Sequence, residues 1–199
     1  MTTIYLSSTY EDLKEHRGVV FEALRKAGYQ VIAMEDYVVT DKRPVEKCLA
    51  DVARSNIYVG LFAFRYGYIP PAEHHNPDGL SITELEFRHA ERLGKPCLTF
   101  LVSEAASWPR KFDDARQGKG EHIDRLRNYL QTEKMASFFS SPHELAALVL
   151  AAVNKHRQES KPSATEKAIP SRAITWDIEE KGSPYPGLLH FTRKYAPVF

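Results

Sequence analysis

Hydrophobic and polar positions along the chain fall into two alternating periods. Residues 3–7 form a short apolar run, and residues 11–27 carry apolar side chains at helical spacing, at Leu13, Val20, Phe21 and Leu24. Ser8 and Glu11, three apart, have the form of a capping box for that helix, and Gly28 is a natural stop. Residues 29–34 predict a second strand. Pro44 opens a helix carrying Val45, Leu49 and Val52, and residues 56–64 are apolar almost without interruption. Such a run suits a strand covered on both faces, as in a parallel sheet between helix layers. The pattern next predicts a helix from Ser81 to Gly94, a buried strand over 96–102, a helix over 122–130 and a short edge strand over 135–139. Ser141-Pro142-His143-Glu144 joins a capping box to a proline at the first helical position, opening a final helix to about Arg157.

This alternation predicts an α/β fold, a flavodoxin-like doubly wound parallel sheet of about five strands with helices on both faces. Right-handed crossovers and burial of both sheet faces lead to the strand order 2-1-3-4-5. In that order the chain reverses direction between strands one and three, so a ligand crevice is expected there, at their carboxyl ends. Composition turns polar after Arg157. The organisation expected is therefore a domain over 1–157, a linker over 158–182, and a segment over 183–199 that regains apolar residues but is too short to fold alone.

Charge and composition narrow the function classes. The 199 residues are 43% hydrophobic and 27% charged, the balance of a globular protein. Lys and Arg total 27 against 26 Asp and Glu, so no general field favours direct nucleic-acid or membrane binding. No apolar stretch approaches the roughly 20 residues that span a bilayer, and no signal peptide is legible at the start. Cys48 and Cys97 form no CxxC pair, which suits a reducing, cytoplasmic setting and packing roles. His74-His75 have no partner ligands at suitable spacing, so no metal site is expected. No GxGxxG supports a dehydrogenase, and no resident cofactor is expected.

Three segments should converge at the crevice. Ser7-Ser8-Thr9-Tyr10 follows strand one and could hold a phosphate through hydroxyls and helix N–H groups, or simply cap the helix. Arg65-Tyr66-Gly67 follows strand three, where Arg65 could pair with phosphate or a surface carboxylate and a tyrosine could stack on a base. In the helix from Ser81, the stripe Ile82, Leu85, Ala90 and Leu93 faces inward, with Glu86 on or beside it. An ionised carboxylate there is costly unless it is paired or faces a wet cavity. Glu86 is therefore the functional acid expected. Glu84 is the alternative, although its spacing to Ser81 and Arg88 accounts for it as part of a capping box and an ion pair.

The segments Ile4-Tyr5-Leu6-Ser7-Ser8-Thr9, Arg65-Tyr66-Gly67-Tyr68 and Thr83-Glu84-Leu85-Glu86 through Gly94-Lys95-Pro96 resemble a TIR-like family found at the N-termini of STAND NTPases. The resemblance covers about residues 2–153. More distantly, the chain is similar to nucleoside deoxyribosyltransferases and NAD-cleaving TIR domains. That likeness implies a catalytic Glu at position 86, with Tyr5 beside it, and NAD or a related nucleotide as substrate. It also implies self-association and a downstream NTPase partner, in an immune-type, antiviral sensor. Ser183-Pro184-Tyr185-Pro186-Gly187-Leu188 likewise resembles the start of a STAND NTPase, so 183–199 is expected to be its truncated opening. Asn56, expected among the substrate-binding residues, stands where the deoxyribosyltransferases usually carry Asp. A non-catalytic interaction module is the competing function, favoured by Asn56 as Glu86 favours an enzyme.

Overall fold

Five parallel strands form one sheet in a computed structural model that describes residues 1–33, 45–72 and 76–159. The strands are β1 (Thr3–Ser8), β2 (Gln30–Ile32), β3 (Ile57–Phe62), β4 (Cys97–Val102) and β5 (Ser137–Phe139), in the order β2-β1-β3-β4-β5. Five α-helices connect and follow them: α1 (Lys14–Lys26), α2 (Val45–Arg54), α3 (Ile82–Arg92), α4 (Glu121–Glu133) and α5 (Pro142–Glu159). This is the flavodoxin-like, doubly wound α/β topology that the apolar runs predict.

Side-chain alternation along the strands separates two cores. Ile4, Leu6, Val59, Leu61, Phe100 and Val102 point to the face covered by α1, through Leu13, Val20 and Leu24, and by α5, through Leu145, Val149 and Val153. Tyr5, Ile32, Tyr58, Phe62 and Leu101 point to the other face, where Val52 of α2, Phe87 and Ala90 of α3, and Ile123, Leu126 and Leu130 of α4 pack. Each fully buried Leu or Phe contributes about 1.5–3 kcal/mol over an exposed one, so both layers are strongly held to the sheet.

Three local expectations need correction. β1 continues through Ser8, because Ser7 and Ser8 stay in register with Gly60 and Leu61 of β3. The Ser8–Glu11 capping box therefore does not form; the chain turns at residues 11–13, and α1 starts at Lys14 with no side-chain cap at Leu13. On α3 the deepest residues are Phe87 and Ala90, whereas Leu93 is 48% exposed, so the inward stripe is rotated from the one expected. At α5 the capping is reciprocal but shifted. The Glu144 N–H donates to Ser141 Oγ (3.3 Å) and Glu144 Oε2 accepts from the Ser140 N–H (2.8 Å). Residues 1–159 form one compact unit. Pro44, His74-His75 and all but the first two linker residues, with the 183–199 segment, lie outside the described residues.

Candidate functional site

Ser81 caps α3 by accepting the Glu84 N–H (3.3 Å), which aims the first turns of that helix at the carboxyl ends of β1 and β3. Glu86 enters there and is only 6% exposed. Its carboxylate accepts hydrogen bonds from the Tyr5 hydroxyl at 2.6 Å and from Ser7 Oγ at 2.5 Å. Tyr5 and Ser7 are two apart on β1 and so share a face, which is why one strand supplies both donors. Short hydrogen bonds to an ionised carboxylate are about twice as strong as neutral ones and offset the cost of burying it. Tyr58 lies opposite Tyr5 in the sheet, with ring centroids 6.2 Å apart. Its burial first, and then the charge of Glu86, push its hydroxyl well above the ordinary value of 10.0. Gly60 makes room for this wall of rings: a Cβ there would lie 2.6 Å from the Phe62 ring and 2.8 Å from the Tyr58 ring.

A cleft of about 380 Å³ opens over Glu86. Of the residues expected at the site, Tyr5, Ser7, Ser8, Thr9, Tyr10, Arg65, Gly67 and Glu86 all line it. Gly67 has φ +90°, and a Cβ there would stand 2.9 Å from Thr9 Cγ2, so only glycine lets the loop after β3 approach β1 so closely. Arg17 also lines the cleft, although it is fully buried. Its guanidinium donates to Ser8 Oγ at 2.9 Å and reaches the Leu6 carbonyl at 3.5 Å. Ser8 therefore orients a buried cation instead of capping α1. The sequence held a signal for Arg17: it falls four residues after Leu13 and seven before Leu24, on the same inward stripe.

Other expected residues lie elsewhere. Glu84 is 2% exposed but faces away from the cleft, accepting from the Tyr66 hydroxyl (2.7 Å) and pairing with Arg88 (3.3 Å). Its inward partner is thus a tyrosine, where a full capping box was expected. Tyr66 is turned toward α4, its ring stacked on His122 at 5.0 Å, so it is not placed to orient a substrate or stack on a base. Burial and the hydrogen bond to Glu84 push its hydroxyl up to about 12. Asn56 is a further correction. It precedes β3, at the amino edge of the sheet, where its exposed side chain accepts the Thr3 N–H at 2.8 Å. It is structural there, opposite the cleft end of the strands.

Residues 3–154 match the family model described as Domain of unknown function (DUF4062), from β1 into α5. The chain belongs to this family. Curated relatives of the domain include Telomerase protein component 1 of Mus musculus, 24% identical over 168 residues, and its Rattus norvegicus counterpart, 24% identical over 169. Each alignment covers 66% of this chain and 6% of the relative, so the chain spans a small part of those proteins. Similar solved structures include the TIR domains of the activated Roq1 resistosome recognising the pathogen effector XopQ, at 15% identity and TM-score 0.46, covering 77% of this chain and 99% of that one. Another is the Clostridium botulinum CMP N-glycosidase BcmB, at 13% identity and TM-score 0.44, covering 75% and 99% respectively. A third is a Klebsiella pneumoniae protein named "putative quinone reductase", at 9% identity and TM-score 0.41, covering 81% and 86%. At this likeness they add nothing to the topology already described.

One further group in the DUF4062 domain escaped the sequence reading. Asp12, in the turn before α1, is 9% exposed, with both its oxygens buried beside the Thr9 hydroxyl. Burial raises the Asp12 pKa from 3.8, and hydrogen bonds from the Thr9 hydroxyl and the Asp12 backbone amide, followed by the charge of Arg65, offset part of that rise. Among the described residues, no three His, Cys, Asp or Glu side chains stand close enough to hold a metal ion. No described helix is long and apolar enough to cross a membrane.

Proposed function

We propose that this domain cleaves the N-glycosidic bond of NAD or a related nucleotide, with Glu86 as the carboxylate that meets the reacting ribose. The observation that carries the reading is Glu86 itself: a buried acid at the mouth of the sheet, held by Tyr5 and Ser7 and open to a cleft that also contains Arg17 and Arg65. In NAD the bond joins the anomeric carbon to a positively charged nicotinamide nitrogen. When it breaks, both electrons stay with the nicotinamide, which leaves neutral and needs no proton. The ribose becomes oxocarbenium-like, and a fixed negative charge beside it lowers the barrier. Water then adds to the anomeric carbon and releases one proton, so NAD and water give ADP-ribose, nicotinamide and H⁺. Tyr5 and Ser7 hold the carboxylate in one orientation throughout, and Arg65 suits the substrate's phosphates.

The wider role proposed is that of an N-terminal effector domain in a STAND-type antiviral sensor, which acts when the downstream NTPase brings several copies together. The motif resemblance around Thr83–Glu86 and Gly94–Pro96 supports that context. Asn56, at the opposite edge of the sheet, does not weigh between enzyme and interaction module. The test is to incubate the full-length, triggered protein with NAD and with other nucleosides and nucleotides, following base release. Release of nicotinamide supports the reading. Absence of turnover on every compound gives the lead to a non-catalytic module.

A further inference from the structure

The cleft over Glu86 does not end at Arg65. A second cavity, also of about 380 Å³, begins on the other side of the same residues: Glu11, Arg65 and Gly67 line both. The far cavity adds Lys111, Phe112, Asp114 and Lys119 from the segment between β4 and α4. That segment is tied to the end of β3. The Asp114 N–H donates to the Phe64 carbonyl (3.0 Å), the Asp114 carboxylate accepts the Tyr66 N–H (2.8 Å), and the Lys119 N–H closes a turn onto the Asp114 carbonyl (2.8 Å). The backbone bearing the far cavity is thus held in register with the loop bearing Arg65. Three cations face two carboxylates in it, and one of those carboxylates is already engaged by a backbone amide. Phe112 supplies an aromatic surface, with the Lys111 ammonium 4.7 Å from its ring centroid.

We propose that this second cavity is a subsite for the distal half of a diphosphate-bridged substrate, so that the enzyme prefers a dinucleotide to a mononucleotide. The diphosphate crosses the sill made by Arg65 and Gly67. The second, ring-bearing half then lies over Phe112 between Lys111 and Lys119. The absent Cβ of Gly67 keeps the sill low, and Arg65 serves both sides. The orientation of the ligand, glycosidic bond toward Glu86, rests on the function proposed above; the far cavity as a diphosphate-and-ring site does not.

The experiment uses the full-length, triggered protein and its double variant Lys111→Ala/Lys119→Ala, with Lys155→Ala on α5 as a control for net charge. Two readouts run together: KM and kcat for NAD and for nicotinamide mononucleotide, and calorimetric binding of ADP. The double variant should raise KM for NAD about tenfold with kcat unchanged, as expected for loss of two solvent-accessible charge contacts, and should leave the mononucleotide unaffected. ADP binding should weaken by a similar factor, and Lys155→Ala should match the wild type. Equal KM values for the two substrates, unmoved by the lysine changes, would overturn the subsite. Should neither compound turn over, the glycosidase reading falls alone and ADP decides: lysine-dependent binding sustains the subsite, and absent or lysine-independent binding overturns it.

Discussion

Tyr5→Phe removes one oxygen atom and leaves the Glu86 carboxylate short of a donor that stands 2.6 Å away. Tyr5 is 2% exposed and Glu86 6%, so bulk water does not freely replace the lost partner. A hydrogen bond to a charged group contributes about 1.5–3 kcal/mol, which sets the expected loss of stability near 2 kcal/mol. In a domain of this size that is a fall in melting temperature of about 4–8 °C. Glu86→Gln provides the control. The amide still accepts from Tyr5, but a neutral bond contributes only about 1 kcal/mol, so Tyr5→Phe should cost about half as much in that background. The coupling expected between the two positions is thus about 1 kcal/mol, obtained from equilibrium urea unfolding of the wild type, both single variants and the double variant. If Tyr5→Phe stays within about 0.5 kcal/mol of the wild type, or the two changes simply add, the hydroxyls are not what holds this carboxylate in place.

Further outcomes follow from the same geometry. Glu84→Gln should lower stability by about 1–2 kcal/mol, through weaker contacts to Tyr66 and Arg88, while any base-releasing activity stays within about twofold of the wild type; activity lost with stability retained would reverse the roles of the two glutamates. Asp12→Asn should stabilise the domain at neutral pH. Because burial raises the Asp12 pKa on folding, its protonated form favours the fold at low pH, and wild-type stability falls as pH rises through the folded-state value. The gap between variant and wild type, read from melting curves across pH, should therefore close toward acid; a gap that widens on acidification contradicts the sign. Gly67→Ala should cost about 1–3 kcal/mol from the positive φ alone and press a methyl against Thr9, so ligand binding in the cleft should fall together with stability; a variant as stable as wild type would show that the loop readily adopts another conformation.

How much of this was legible in the sequence differs by element, for physical reasons. The β3 run from Ile57 to Phe62 declared itself because a strand buried on both faces has no polar positions to blur it. The order of strands followed from crossover handedness, and with it the place of the cleft. Ser8 was harder to read. Its type and its spacing to Glu11 suit a cap, and only the pairing of Ser8 with Leu61, a tertiary contact, commits it to the strand. Arg17 was missed by residue type: its position marks it as inward, but an arginine is ordinarily assigned to the solvent side of a helix. On α3, Phe87 and Ala90 pack inward and both glutamates stay buried on flanking sides, which an apolar stripe alone does not resolve. Asn56 was read through a family position, whereas the amino edge of β3 is the end of the strand far from the chemistry. Asp12 had no sequence signal, because its burial depends on the turn that β1 and α1 leave between them.

In the proposed reaction the charge of Glu86, and not merely its shape, drives cleavage of the N-glycosidic bond. The most direct measurement is a single-turnover comparison of nicotinamide release from NAD by triggered full-length wild type, Glu86→Gln and Glu84→Gln, with thermal melting of the same samples. The glutamine at 86 keeps the size and hydrogen-bonding capacity of the native side chain but carries no charge when the ribose turns cationic. Loss of one preorganised group of this kind slows a reaction by about 10²–10³. That drop is expected for Glu86→Gln with the melting temperature retained, and near wild-type release for Glu84→Gln. Full release by Glu86→Gln, or a collapse of activity in Glu84→Gln alone, would contradict that role of Glu86.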